Sequence, residues 1–178
     1  ALRNLALGYY DHLSRPEDAR RCLEKAFASA PESDRIFYEL TQLYKALNLP
    51  IAERLALYER HPALTQKRDD CTLAYSVLCT IIGDYDRAKA ILDAHRFHTY
   101  EGGEGYLTQH HAWLHFLIGN QLLQQGRAEE AVSALLAGLV FPENYGEEKN
   151  YFVNDAPIYL TLASCMKVLG EMQEEQSY

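Results

Sequence analysis

The chain has 178 residues, 48% hydrophobic and 24% charged, which suffices for one well-buried core or one short repeat array and falls outside the disordered, collagen-like and disulfide-scaffold classes. Its formal charge of −8, from 17 Lys and Arg against 25 Asp and Glu, repels phosphate backbones and anionic lipid, so neither nucleic acid nor a membrane surface is expected as the partner. Ten glycines and six prolines are few for a sandwich or barrel that turns every dozen residues, and an all-α chain is expected instead.

From the N-terminus, one pattern recurs at a fixed period. It reads Leu2-x-x-Leu5-Ala6-x-x-Tyr9, then Phe37-x-x-Leu40-Thr41-x-x-Tyr44, then Thr72-x-x-Tyr75-Ser76-x-x-Cys79, with starts 35 residues apart each time. Two further copies, His115-x-x-Ile118-Gly119-x-x-Leu122 and Tyr159-x-x-Leu162-Ala163-x-x-Met166, follow after 43 and 44 residues, so loop material is inserted before each. Each copy places large, large, small and large residues at offsets 0, 3, 4 and 7, which is one face of a helix. The small residue lets a second helix approach closely while its large neighbours fill the groove beside it.

About four residues past the last large position stands a helix breaker: Gly83, Gly126 and Gly170, with Asn48 in the second unit. Second helices then start at Pro16, Pro50 and Asp84-Tyr85-Asp86, and carry small residues at their crossings, Ala19 and Ala26, Ala88, and Ala131 with Gly138. Pro31, Pro62 and Pro142 close the first, second and fourth units. The expected units span about 1–31, 33–62, 68–95, 105–142 and 155–178, which predicts at least nine helices and no sheet.

These residues resemble the tetratricopeptide repeat (TPR) family, whose unit is a 34-residue helix pair with a small residue at the tight crossing, a glycine between helices and a proline at the end. The unit from His115 to Pro142 matches best, with Gly119, Gly126, Ala131 and Pro142 near the expected places, and the resemblance runs from Leu2 to about Glu175. Glu53 stands where the second unit should carry an alanine, and the fifth unit stops just after its second helix should begin. The resemblance implies a right-handed superhelical solenoid of about five TPR-like helix pairs, without catalytic residues or cofactor, whose first helices line a concave face that binds a protein or peptide segment or another domain of the parent chain. A narrower resemblance, of Arg96 to Gly105 and Phe141 to Gly146 to a group of large bacterial proteins with a carbohydrate-related N-terminal domain, implies the alternative of an accessory domain that helps form a sugar site through residues 95–105.

First-helix positions pointing away from the second helix are Arg3, Leu7 and Tyr10, then Arg35, Tyr38, Gln42 and Lys45, then Leu73 and Val77, then Trp113, Phe116 and Asn120. Of these Arg3, Tyr10, Arg35, Tyr38, Gln42, Lys45, Trp113, Phe116 and Asn120 are the expected groove, with aromatic and Arg side chains as anchors. A clamp for a terminal carboxylate is not expected, because its positions hold Arg3 and Leu7, then Glu39, then Asp70 and Ala74.

The insertion before the fourth unit gathers five of the seven histidines into 21 residues. His111 and His115 have the i, i+4 spacing of paired metal ligands, but no third ligand or His-Glu-x-x-His pattern accompanies them, and satisfied, partly buried imidazoles are expected rather than a metal site. His98, Tyr100, Glu101 and Glu104 are candidates for ligand contact, since long insertions in repeat arrays often map to the binding face. Cys22, Cys71, Cys79 and Cys165 form no Cys-x-x-Cys pair and read as buried hydrophobes in a reducing, cytoplasmic setting. Ala1 begins with a helical pattern already running, so the chain reads as part of a longer one. The apolar sides of 1–13 and 159–169 make a homodimer through terminal repeats a further expectation.

Overall fold

The computed structural model describes residues 1–98 and 103–175. Among the described residues the chain is all-α, with ten α-helices and no strand. They are α1 (Leu2–Leu7), α2 (Pro16–Ser29), α3 (Asp34–Ala46), α4 (Ile51–Arg60), α5 (Pro62–Lys67), α6 (Asp69–Ile81), α7 (Tyr85–Ala94), α8 (Tyr106–Gln124), α9 (Ala128–Ala137) and α10 (Ala156–Glu175). A π-helical turn at Gly8–His12 prolongs α1, and a 3-10 turn occupies Glu143–Tyr145. Two compact units divide at residue 78, within the sequence of α6.

In the unit of residues 1–78, Pro16 opens α2 at its first position and the Ser33 hydroxyl accepts from Ile36 N–H to start α3. Ala19 on α2 is completely buried, the small residue expected at a tight crossing. Phe37 is fully buried, and its ring packs on Phe27, Tyr58 and His61 at centroid distances of 5.8, 5.9 and 5.8 Å. Helix α3 ends on Asn48 at φ +51°, with Asn48 N–H donating to Lys45 O and Leu49 N–H to Tyr44 O. Gly83 and Gly126 end α6 and α8 by the same pair of bonds, at φ +83° and +77°. The first unit uses Ser14 instead, at φ +51°. Because the π turn adds a residue, the closing bond there runs from Arg15 N–H back to Tyr9 O.

In the unit of residues 79–178, Asp84 caps α7 by accepting from Arg87 N–H. Helices α8 and α9 cross at Gly119, where an added Cβ would lie 2.4 Å from Leu135 Cγ, and at Gly138, where it would lie 2.6 Å from His115 Cβ. Ala112, Ala131, Leu135, Val153, Ile158 and Cys165 form the core that α10 completes.

Four expectations are corrected. Pro62 begins α5 rather than closing the second unit, at the first helical position where its missing N–H is no loss. The turn is held by hydroxyls: Thr65 Oγ1 donates to Tyr58 O and His61 O, and Thr72 Oγ1 to Thr65 O and Arg68 O. Gly170 does not break its helix; α10 runs through it, because one glycine inside a helix costs only about 1 kcal/mol. In the last copy of the pattern Tyr159, Ala163 and Met166 are exposed, and Ile158, Thr161 and Cys165, one residue earlier, are buried. No second helix packs on the expected stripe among the described residues, so α10 buries only the face turned to the preceding helix pair. Pro50, placed at a helix start, is the residue just before α4, not its first.

Candidate functional site

One apolar cavity lies in the unit of residues 1–78, between α1, α2 and α3. Ala6, Leu7 and Tyr10 form one wall, Leu23 the floor, and Tyr38, Glu39, Gln42, Leu43 and Ala46 the other wall, around a cavity of about 220 Å³. Helical spacing explains the far wall: residues 38, 42 and 46 recur every turn, with 39 and 43 beside them. Ala6 and Ala46 leave the space that larger residues would fill. The lining is almost wholly apolar, and its one ionised group is neutralised in place. Arg3 Nε donates to Glu39 Oε2 at 2.6 Å and to Oε1 at 2.8 Å, its Nη2 also meets Oε1, and Arg35 Nε approaches Oε1 at 3.4 Å.

Tyr38 is held from outside the cavity by the Arg68 guanidinium, 4.4 Å from its ring centroid, and Arg68 is in turn paired with both oxygens of Asp70. Burial pushes the Tyr38 phenol up from its ordinary range. Arg3 and Arg68 are thus tied to the carboxylates of Glu39 and Asp70, both of which stand at positions where a carboxylate clamp would need a cation or amide.

The fold therefore brings Tyr10, Tyr38 and Gln42 together around one cavity, with Arg3 joined to it through Glu39. Arg35 and Lys45 lie on the same stripe of α3, Arg35 about a turn before the lining residues and Lys45 next to Ala46, and are exposed. Trp113, Phe116 and Asn120 belong to α8 in the second unit; Trp113 is 49% exposed, its ring 5.0 Å from that of Phe116, which is half-buried against the core of that unit. Glu39, Ala6, Leu23, Leu43 and Ala46 were missed as lining. The 36-residue offset between Arg3 and Glu39, close to the repeat period, was the available signal for that ion pair.

The histidine-rich insertion is knitted to the connection that follows α9. Phe97 N–H donates to Asn144 O at 2.7 Å, and Asn144 Nδ2 donates to Leu92 O and His95 O at 3.0 and 2.6 Å. The Phe97 ring meets Tyr145 edge-on at 5.8 Å, both being buried. Glu147 closes the start of α8 by accepting from Gly105 N–H and Thr108 N–H at 3.2 and 3.4 Å. His98 and Glu104 are exposed beside this junction; Tyr100 and Glu101 lie outside the described residues.

His111 and His115 are satisfied internally. His111 Nε2–H donates to Ala137 O at 3.1 Å, which makes Nδ1 the acceptor of the Tyr145 hydroxyl at 2.9 Å. His115 Nδ1–H donates to Ala134 O at 2.9 Å. Both nitrogens of His111 are therefore engaged, and among the described residues no group of three or more His, Cys, Asp or Glu side chains is placed to hold a metal ion. Burial pushes the imidazoles of His110 and His115 down to about 4, and that of His111 downward as well.

Charge is divided unevenly. Residues 1–78 contain eleven acidic and eleven basic residues, whereas residues 79–178 contain fourteen acidic and six basic, and so carry the whole net charge of −8.

No family model matches the chain. Among solved structures it is similar to a MamA RS-1 ArsTM double mutant, over 98% of this chain and 94% of that one, with a TM-score of 0.54 and 15% identity. At that identity the likeness is one of fold, that of a TPR-like helical repeat. Among the described residues no helix is long and apolar enough to cross a membrane.

Proposed function

We propose that the chain is a non-catalytic interaction module whose first unit holds a segment of another protein, or of another domain of its parent chain, against the first-helix surface of α1 and α3. The observation that carries this reading is the apolar cavity between those helices, lined by Leu7, Tyr10, Tyr38 and Gln42. Its volume of about 220 Å³ is below the roughly 300–1,000 Å³ of small-molecule and cofactor sites. It exceeds the ~150 Å³ of an apolar cavity that admits benzene. One aromatic or branched side chain therefore fits, with its backbone left on the rim where the Gln42 amide can bond it. Glu39 contributes no reactive carboxylate, because Arg3 holds both its oxygens in an ion pair.

A displayed library of random peptides, panned in parallel against the wild-type chain and a Leu7→Glu variant, tests the reading. Peptides with one large apolar residue are expected to be enriched on the wild type and absent from the variant, with circular dichroism confirming that both are folded. Enrichment that is equal on the two proteins, or none on either, sinks it.

A further inference from the structure

The geometry points to a specific partner chemistry for this groove: a segment with one aromatic or leucine side chain seated between α1 and α3, flanked on both sides by an acidic residue about two positions away. The inference rests on the groove reading above and adds to it the charge and spacing of the occupant.

Along α3, Arg35, Tyr38, Gln42 and Lys45 recur at offsets 0, 3, 7 and 10 and so share a helix face. Tyr38, Gln42 and Ala46 line the cavity; Arg35 precedes the lining residues by about one turn, and Lys45 stands next to the last of them, Ala46. Arg35 has 71% of its side chain exposed and only a 3.4 Å contact to Glu39, whose oxygens are already shared with Arg3. Such an exposed pair contributes about 1 kcal/mol or less, so Arg35 can turn outward at little cost. Lys45 is exposed at the end of α3, where its charge also favours the helix C-terminus. Arg3 and Glu39 neutralise one another, which leaves Arg35 and Lys45 as the exposed positive charges towards the two ends of the apolar stretch of α3.

Spacing then fixes the partner. Ten residues of helix place the Arg35 and Lys45 backbones about 15 Å apart. An extended chain rises about 3.3 Å per residue, so it covers that distance in four to five residues. An anchor in the middle thus has its acidic neighbours about two residues to either side, all three side chains on the same face because extended backbone alternates with period two.

Fluorescence anisotropy of four labelled, end-blocked peptides tests this with the full chain: Phe flanked two residues away by Glu on both sides, by Lys, by Gln, and the Glu-flanked peptide with Ala in place of Phe. The Glu-flanked Phe peptide is expected to bind about tenfold more tightly than the Gln-flanked one and more tightly still than the Lys-flanked one, the size of two rim ion pairs. The preference is expected to vanish in the Arg35→Gln, Lys45→Gln double variant, whose exposed positions leave folding intact, and to shrink at high salt. Equal binding of the Glu, Gln and Lys peptides overturns the inference and leaves the groove reading standing. Failure of all four peptides to bind at millimolar concentration overturns both. Self-association of the chain that Leu7→Glu abolishes would make a second copy the occupant and also overturn the inference.

Discussion

Gly119 and Leu135 touch so closely that no Cβ fits at residue 119: it would lie 2.4 Å from Leu135 Cγ and 2.6 Å from Leu135 Cδ2. The close approach of α8 and α9 rests on that missing atom, as Leu135 is fully buried and has nowhere to retreat. Gly119→Ala is therefore expected to destabilise the second unit by about 1–3 kcal/mol, despite alanine's better helix propensity. Urea denaturation followed by circular dichroism checks it, and a stability equal to or above wild type would contradict the packing described.

The buried histidines give the second unit an acid sensitivity with a definite sign. Burial holds His110 and His115 at about 4 in the folded chain, against about 6.5 when unfolded. The unfolded chain thus binds more protons below pH ~6.5, and stability present above that pH is lost as pH falls toward 4. The loss amounts to no more than about 1.4 kcal/mol per pH unit for each histidine. Melting temperatures between pH 7 and 4.5 are expected to fall steadily, and His115→Gln to flatten the slope; a melting temperature unchanged over that range would refute the assignment.

Asn144 ties two connections together by donating to Leu92 O and His95 O. Asn144→Ala removes both donors at once and is expected to cost about 1–3 kcal/mol. The effect should be local: amide exchange of Phe97 N–H, which donates to Asn144 O, rises well above that of α9. Exchange that is unchanged at Phe97 would show that Asn144 is not what holds the junction.

On α10, Tyr159, Leu160 and Met166 expose an apolar stripe, Leu160 to 73%. Leu160→Glu and Met166→Glu are expected to leave the unfolding midpoint within about 0.5 kcal/mol of wild type, as at other surface positions. Both should weaken concentration-dependent association in light scattering. An unfolding midpoint that drops strongly would mean that the stripe is part of the core.

Much of the helical architecture was legible because each tight crossing leaves a mark in residue size. Gly119 and Ala131 announce a close approach wherever they recur beside large neighbours, and Gly83, Gly126 and Asn48 announce a left-handed helix end. What was illegible follows from residues whose physics permits two outcomes. Pro62 can end one helix or open the next, and the hydroxyls of Thr65 and Thr72 decide it through bonds that leave no periodic trace. Gly170 tolerates a left-handed turn without requiring one. Ser14 ends its helix with no glycine at all.

The groove shows the same division. Tyr10, Tyr38 and Gln42 were readable as offsets on their helices, while the cavity between them was not. It is lined by both Ala6 and Ala46, and the want of bulk at two residues forty positions apart means nothing until their helices border one cavity. The 95–105 segment reads as a ligand loop because it is a long insertion in the repeat array. Among its described residues the bonds to Asn144 are made by His95 O and Phe97 N–H, backbone groups that any residue but proline would have supplied.

The Glu147 carboxylate at the head of α8 also has a bearing on the order of assembly during synthesis. The acceptor for Gly105 N–H lies 42 residues further along the chain. At a ribosomal pace of about 5–20 residues per second, α8 waits roughly 2–8 s for the residue that finishes its first turn. Over that interval its leading amides are open to water or to a chaperone, and the last step in building the helix is taken by a part of the chain that emerges after α9 is already complete.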